Sequence, residues 1–290
     1  MLLQRIITAL ILVPLVVLAV FQLPLEYFSL LVGLITLLAA WEWTQLIGIN
    51  SLFKRGLFLV ALILPMLWLH FWTQFLELSA QILDWPDVRN YSGILEWLVV
   101  PPVLFWILTM ILIRNTPEGV LNLEMKIRYK ALIGWLVLMA MWMFLTRLRV
   151  LYGSELTLYF LVLIWTADIA AYFVGKKFGK TKLAAEISPG KTVQGMYGAL
   201  IAAVVCAILL NLYSLKYGFQ LMVALDFVLL SILSVLVSIY GDLFFSVVKR
   251  QRGVKDTGSI LPGHGGILDR IDSMIAAIPF FYAGIYLIHP

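Results

Sequence analysis

Apolar positions run through this chain in long blocks separated by short polar islands. The blocks lie at 6–22, 26–48, 56–76, 94–113, 131–149, 156–175, 193–213, 221–247 and 273–289, with ends good to a few residues. About 20 apolar residues in a helix cross a ~30 Å hydrocarbon layer. The pattern therefore predicts an all-α, polytopic membrane protein with about nine transmembrane helices. The two-residue alternation of a membrane β-barrel strand is absent.

Composition points the same way. The 290 residues are 62 % hydrophobic and 13 % charged, whereas soluble proteins average about 45–50 % and 25 %. The first block, with Arg5 before it, has the outline of a signal peptide. Phe21-Gln-Leu-Pro24 is too bulky for a cleavage site, so a retained helix is expected. The single Cys206 permits no internal disulfide, and no Cys/His metal spacing occurs.

Charge adds an orientation. With the N-terminus inside, 17 of the 21 Lys and Arg residues fall on inner connections. Only Arg89, Arg147, Arg149 and Lys216 fall outside. The positive-inside rule then predicts a cytoplasmic N-terminus and an external C-terminus, with Arg147 and Arg149 as the one irregularity. The net charge of +5 follows this membrane rule, so no nucleic-acid partner is expected. No internal repeat is visible. Polar motifs concentrate after residue 150, which suggests scaffold helices over 1–150 and a catalytic half with a cytoplasm-facing polar cavity over 151–290.

The candidate chemistry lies in that second half. Asp168, in Trp165-Thr-Ala-Asp168-Ile-Ala-Ala-Tyr172, and Asp242, in Tyr240-Gly-Asp242, fall inside apolar blocks. A carboxylate at a helix centre costs roughly 2.5–3.5 kcal/mol on insertion scales. At 1.5 Å per residue, Asp168 lies ~12 Å from Lys176 and Asp242 ~10 Å from Lys249, so both sit toward the inner face. Asp269 and Asp272 open the last block from that face and share one side of a helix. Like charges at one depth repel unless cations lie between them. Mg²⁺ suits such a set, since it takes one or two carboxylates together with waters and substrate phosphates.

Two polar islands supply the cations. Residues 176–192 carry Lys176, Lys177, Lys180, Lys182 and Lys191 and end in Ser188-Pro-Gly-Lys191-Thr192. The island is not a P-loop, because Ala185 stands where that motif needs glycine. Ser188 and Pro189 predict a helix start, with Lys191 and Thr192 in a first turn suited to phosphate. Residues 246–273 bring Lys249, Arg250, Arg252, Lys255 and Arg270 together with Asp256, His264 and five glycines. His264, in Pro262-Gly-His-Gly-Gly266, is as well explained by a local hydrogen bond as by chemistry. Glu42, between Trp41 and Trp43, is expected to be an interfacial anchor, and Asp226 an interfacial residue.

Taken together these residues resemble the phosphatidate cytidylyltransferase (CDP-diacylglycerol synthase) family. Ser246, Lys249-Arg250, Lys255-Asp256, Leu261-Pro-Gly-His-Gly-Gly266 and Leu268-Asp-Arg-Ile-Asp272 resemble its signature. Trp165-x-x-Asp168-x-x-Ala171-Tyr172, Ser188-Pro-Gly-Lys191-Thr192 and Gly241-Asp242 resemble its upstream motifs. The likeness is specific over 160–275 and general, in hydropathy and length, before 150.

The resemblance implies transfer of a cytidylyl group from CTP to phosphatidic acid, giving CDP-diacylglycerol and pyrophosphate. It implies Mg²⁺, and in some members a second, monovalent cation such as K⁺. Asp242 and Asp269 match the metal ligands. Asp168, Lys191, Asp256, His264, Arg270 and Asp272 are the catalytic candidates, and Ser188, Lys191, Thr192, Lys249, Arg250 and Lys255 the substrate-binding ones. A multi-pass place in a bacterial inner membrane, membrane-lipid contact and a homodimer complete the expectation. Two alternatives are a CTP-dependent transferase acting on another lipid and a secondary transporter, which would also carry intramembrane aspartates.

Overall fold

A computed structural model describes residues 2–84, 86–216, 224–258, 260 and 265–288. Ten α-helices run in chain order among them: α1 (Leu2–Gln22), α2 (Leu25–Leu46), α3 (Leu52–His70), α4 (Trp72–Ile82), α5 (Val100–Asn115), α6 (Pro117–Leu121), α7 (Ile127–Phe178), α8 (Val193–Lys216), α9 (Ala224–Gln251) and α10 (Leu268–Ile288). A 3₁₀ segment, Pro86–Val99, leads into α5, where prolines at the start of the helix remove N–H groups that would lack partners anyway. No strand occurs among the described residues. Seven helical segments there are long and apolar enough to cross a membrane, as a polytopic membrane protein requires.

Three differences from the expected blocks are physical. The third block breaks at Phe71, between α3 and α4. The last helix begins at Leu268, so Asp269 and Asp272 both lie in its opening turns. The fifth and sixth blocks merge into α7, whose 52 residues include one non-helical position, Gly153, at φ 87° and ψ 179°.

A straight helix of that length would reach about 78 Å, and the contacts show that it does not. Lys130, near the start of α7, donates to Gln251 at 3.0 Å. Arg250 beside it donates to the carbonyl of Ile187, past the other end of α7, at 3.3 Å. The start of α7 and the loop that follows its other end therefore both meet the last turn of α9. Around Gly153, Phe144 and Tyr152 meet Tyr282 while Tyr159 and Phe160 meet Phe281. The chain reverses at Gly153, in a left-handed conformation that costs glycine nothing.

Helices α9 and α10 form the centre. Their apolar windows are 67 % buried, against 22 % for α3 and 28 % for α8, which are left to face the bilayer. Trp43, Trp106 and Phe245 are each 1 % exposed and interlock α2, α5 and α9. Small residues bring α9 against α10. A Cβ on Gly241 would stand 2.3 Å from that of Ala276, so the backbones touch where a larger residue would hold them apart.

Arg147 and Arg149, the irregular pair, both have partners. Arg147 is paired with Glu96 and also donates to the Tyr282 hydroxyl, which in turn donates to Glu96. Arg149 donates to the Val20 carbonyl at 2.8 Å. A buried cation that is paired and hydrogen-bonded avoids the main cost of leaving water.

Candidate active site

The charged cluster at the polar end of the bundle comes from one loop and three helices. The loop is 179–192, after α7. A β-bridge joins Lys182 to Thr192, with Leu183 donating to the Lys191 carbonyl and Val193 to that of Thr181. This pairing holds the backbone extended as far as Thr192, so Ser188 and Pro189 form a turn and do not start the helix. Thr192 is the cap of α8, its hydroxyl accepting from Gly195 N–H at 3.1 Å. Lys191 consequently lies one residue ahead of the cap. Its ammonium reaches Asp242 at 2.7 Å and the Ile239 carbonyl at 3.2 Å, both on α9.

A second ion pair sits one helix further in. Lys249, on the last turns of α9, meets Asp269 of α10 at 2.8 Å. Asp269 is heavily engaged: Oδ1 takes Lys249, and Oδ2 takes the Thr257 N–H (2.8 Å), the Thr257 hydroxyl (2.9 Å) and the Gly266 N–H (3.1 Å). Asp242 is looser. Beyond Lys191, its one further partner among the described residues is the Ser246 hydroxyl, at 3.4 Å, and its side chain is 32 % exposed. Asp272 is 7 % exposed and lies within electrostatic reach of Asp242, Asp168, Lys249 and Lys191. Asp168 is exposed on α7, facing the Ser273 hydroxyl and the charges of Asp242 and Lys191.

The structure thus gathers Asp168, Lys191, Asp242, Lys249, Asp269 and Asp272, from four segments distant in sequence. The two ammoniums lie among the four carboxylates, which the mutual repulsion of the carboxylates requires. Asp256 is exposed, with its carboxyl carbon 3.6 Å from where a Cβ on Gly265 would be. Ser188 accepts from Lys191 N–H, and Arg250 anchors the same loop through Ile187. Lys255 and Arg270 are exposed. His264 lies outside the described residues.

One residue of this end is unlike its sequence reading. Glu42, on α2, is 2 % exposed and is no interfacial anchor. Its carboxylate accepts from Ile267 N–H (3.0 Å), Leu268 N–H (2.8 Å) and the Thr257 hydroxyl (3.1 Å). The flanking tryptophans suggested the membrane surface, and the donors lie more than 200 positions away. The one hint in the sequence was a carboxylate inside an apolar block. Glu42 and Thr257 also line a hollow of about 440 Å³ whose walls include Trp41, Gln45, Arg252 and Asp256.

A family model for the cytidylyltransferase family matches residues 3–288. The chain belongs to that family. Phosphatidate cytidylyltransferases are among its curated relatives. That of Pseudomonas aeruginosa is 38 % identical over 284 residues, covering 98 % of this chain and 96 % of the relative. That of Haemophilus influenzae is 35 % identical over 291 residues, covering 97 % of each. The Bacillus subtilis protein of the same name is 43 % identical over 134 residues, 45 % of this chain. Similarity to the first two extends through the helices before residue 150, where the sequence motifs are sparse, so these helices too are part of the family's fold.

Proposed function

We propose that this cytidylyltransferase acts on phosphatidate: it joins the cytidylyl group of CTP to phosphatidic acid and releases pyrophosphate. The observation that carries the reading is the paired cluster Lys191–Asp242 and Lys249–Asp269, held at one end of an apolar bundle. Two polyanions must meet there, one from water and one from the bilayer. Full-length relatives named for this activity support it.

A phosphate oxygen of phosphatidate attacks the α-phosphorus of CTP. A new P–O bond forms, the bond to the β-phosphate oxygen breaks, and pyrophosphate leaves with that electron pair. The nucleophile is already ionised, so alignment and charge neutralisation are the main requirements. Lys191 and Lys249 are placed for both. Each is held by a carboxylate at rest and can turn to a phosphate when substrate brings its own negative charge. Arg250 keeps the 179–192 loop, and Lys191 with it, against α9.

The donor set fits Mg²⁺ unevenly. Asp242 has lone pairs to give. A carboxylate offers about four acceptor positions, two on each oxygen; Asp269 Oδ2 is crowded by Thr257 and Gly266, whereas Oδ1 takes only Lys249 and is the oxygen that would join a metal. Among the described residues no three His, Cys, Asp or Glu side chains form a closed cage. The arrangement suits an ion completed by substrate phosphates. When bound there, Mg²⁺ would neutralise charge on the transferring phosphate and the departing pyrophosphate.

We place the protein in a bacterial inner membrane with nine crossings, the N-terminus and the basic loops facing the cytosol, residues 1–150 as scaffold and 151–290 as the catalytic half. Purified protein given labelled CTP and phosphatidate should form labelled CDP-diacylglycerol and pyrophosphate with Mg²⁺, and almost none with chelator. Absence of labelled lipid, or better use of a polyprenyl or ether-lipid phosphate, would overturn the substrate assignment.

A further inference from the structure

We infer that Glu42 is a positioning residue for the reaction: it acts through Thr257 to fix the carboxylate of Asp269. The inference rests on the function proposed above.

The three hydrogen bonds of Glu42 are not those of a generic helix clamp. Residues 266 and 267 lead into α10 and 268 is its first residue, and all three N–H groups go to carboxylates. Gly266 donates to Asp269, and Ile267 and Leu268 donate to Glu42. The N-terminus of α10 therefore has its free donors divided between a carboxylate of its own and one carried in by α2, where the helix dipole favours negative charge. Thr257 links the two. Its hydroxyl oxygen lies 3.1 Å from Glu42 Oε2 and 2.9 Å from Asp269 Oδ2, so its one proton can serve either carboxylate. The Thr257 N–H holds the same Asp269 oxygen.

The glycines of the loop form the seat. A Cβ on Gly266 would lie 2.4 Å from Glu42 Oε2 and 2.3 Å from the Thr257 hydroxyl. A Cβ on Gly258 would lie 2.6 Å from Glu42 Oε1. Both positions must lack a side chain for the carboxylate to enter. Gly266, within the His-Gly-Gly motif, and Gly258 thus have a physical reason that neither a metal nor a phosphate supplies. They admit a side chain from the opposite half of the chain.

Orienting partners of this kind typically affect metal affinity or activity by about 10–100-fold. Glu42→Gln keeps the shape but turns an NH₂ toward a loop donor. Thr257→Val keeps the volume and removes the hydroxyl, while Thr257→Ser keeps the hydroxyl. Glu42→Gln and Thr257→Val should each lower kcat by about tenfold or more, with KM for CTP within about threefold, because the damage is to alignment at the reacting phosphate. Thr257→Ser should retain at least about half of kcat, since it keeps the route to Asp269. The Glu42→Gln/Thr257→Val double variant should be little worse than the poorer single one, because both cut the same route. Amide hydrogen exchange across 265–269 should rise in Glu42→Gln, a readout independent of turnover. As a control, Glu96→Gln on the far face should lower thermal stability and leave kcat per folded molecule unchanged.

The inference is overturned if the wild type makes CDP-diacylglycerol while Thr257→Val keeps kcat within about twofold, or if the two single losses multiply in the double variant. Wild-type protein that makes no CDP-diacylglycerol would instead overturn the function, and the exchange result would still report whether Glu42 caps α10.

Discussion

The contact between Gly241 and Ala276 makes a demanding test, because it separates stability from alignment. Adding one methyl in Gly241→Ala places two Cβ atoms 2.3 Å apart, whereas carbon atoms settle at about 3.5–4.0 Å. Helices α9 and α10 must therefore part locally by roughly 1.2–1.7 Å. Overpacking of this size costs about 1–3 kcal/mol. Alanine recovers up to about 1 kcal/mol through helix propensity, leaving a net loss of about 0–2 kcal/mol. Turnover should suffer more. Asp242 adjoins the glycine on α9, while Asp269 and Asp272 are on α10, so the parting changes their separation directly. A misplacement of about 1 Å can cost about 10²-fold in rate. The assay is CTP–phosphatidate turnover per folded molecule, beside a melting curve in the same detergent. Ala276→Gly in the same chain removes the opposing methyl and leaves the new one 3.3 Å from the Asp272 carbonyl, so the double variant should regain most of the lost rate. Turnover within about threefold of wild type in Gly241→Ala, or no recovery in the double variant, would refute the claim that this contact sets the spacing of the carboxylates.

Other outcomes can be checked on the same preparation. Lys191→Ala should lose turnover by about 10²-fold and Lys191→Arg should recover only part of it, since a planar fork does not replace a compact ammonium between Asp242 and a phosphate; near-normal kinetics in the alanine variant would reduce Lys191 to a loop anchor. Asp242→Asn and Asp269→Asn should each fold and lose orders of magnitude in turnover at saturating Mg²⁺, with substantial activity in both refuting the metal assignment. Cysteines placed in the 176–191 or 248–258 segments, in a Cys206→Ser background, should resist an impermeant thiol reagent in right-side-out vesicles; rapid labelling would reverse the orientation.

What could be read from the residues depended on the range of the interaction. The apolar blocks are local, and each reappears as helix. The aspartates of α7, α9 and α10 announce themselves because an intramembrane carboxylate is expensive wherever it pairs. The start of α8 was misplaced because Ser188 and Pro189 satisfy the local rules for a helix start. The pairing of residues 181–183 with 191–193, which delays the helix, is not a local property. Glu42 was misread for the same reason, since its donors come from the far end of the chain. The intervals near residue 150 showed that two spans adjoin there, but not that a single residue turns the chain.

That single-residue turn bears on how the protein is made. Residues 127–152 and 154–178 have no soluble segment between them, so neither can enter a bilayer and wait for the other. They would therefore insert as one helical hairpin. Arg147 and Arg149 lie about 9 and 6 Å along the axis from the turn; in the orientation proposed above, the hairpin must carry both cations across before Glu96 and the Val20 carbonyl can receive them. Membrane insertion of the middle of the chain is thus tied to helices already in place, and a tag or protease site introduced at residue 153 would disrupt assembly of the bundle as well as its labelling.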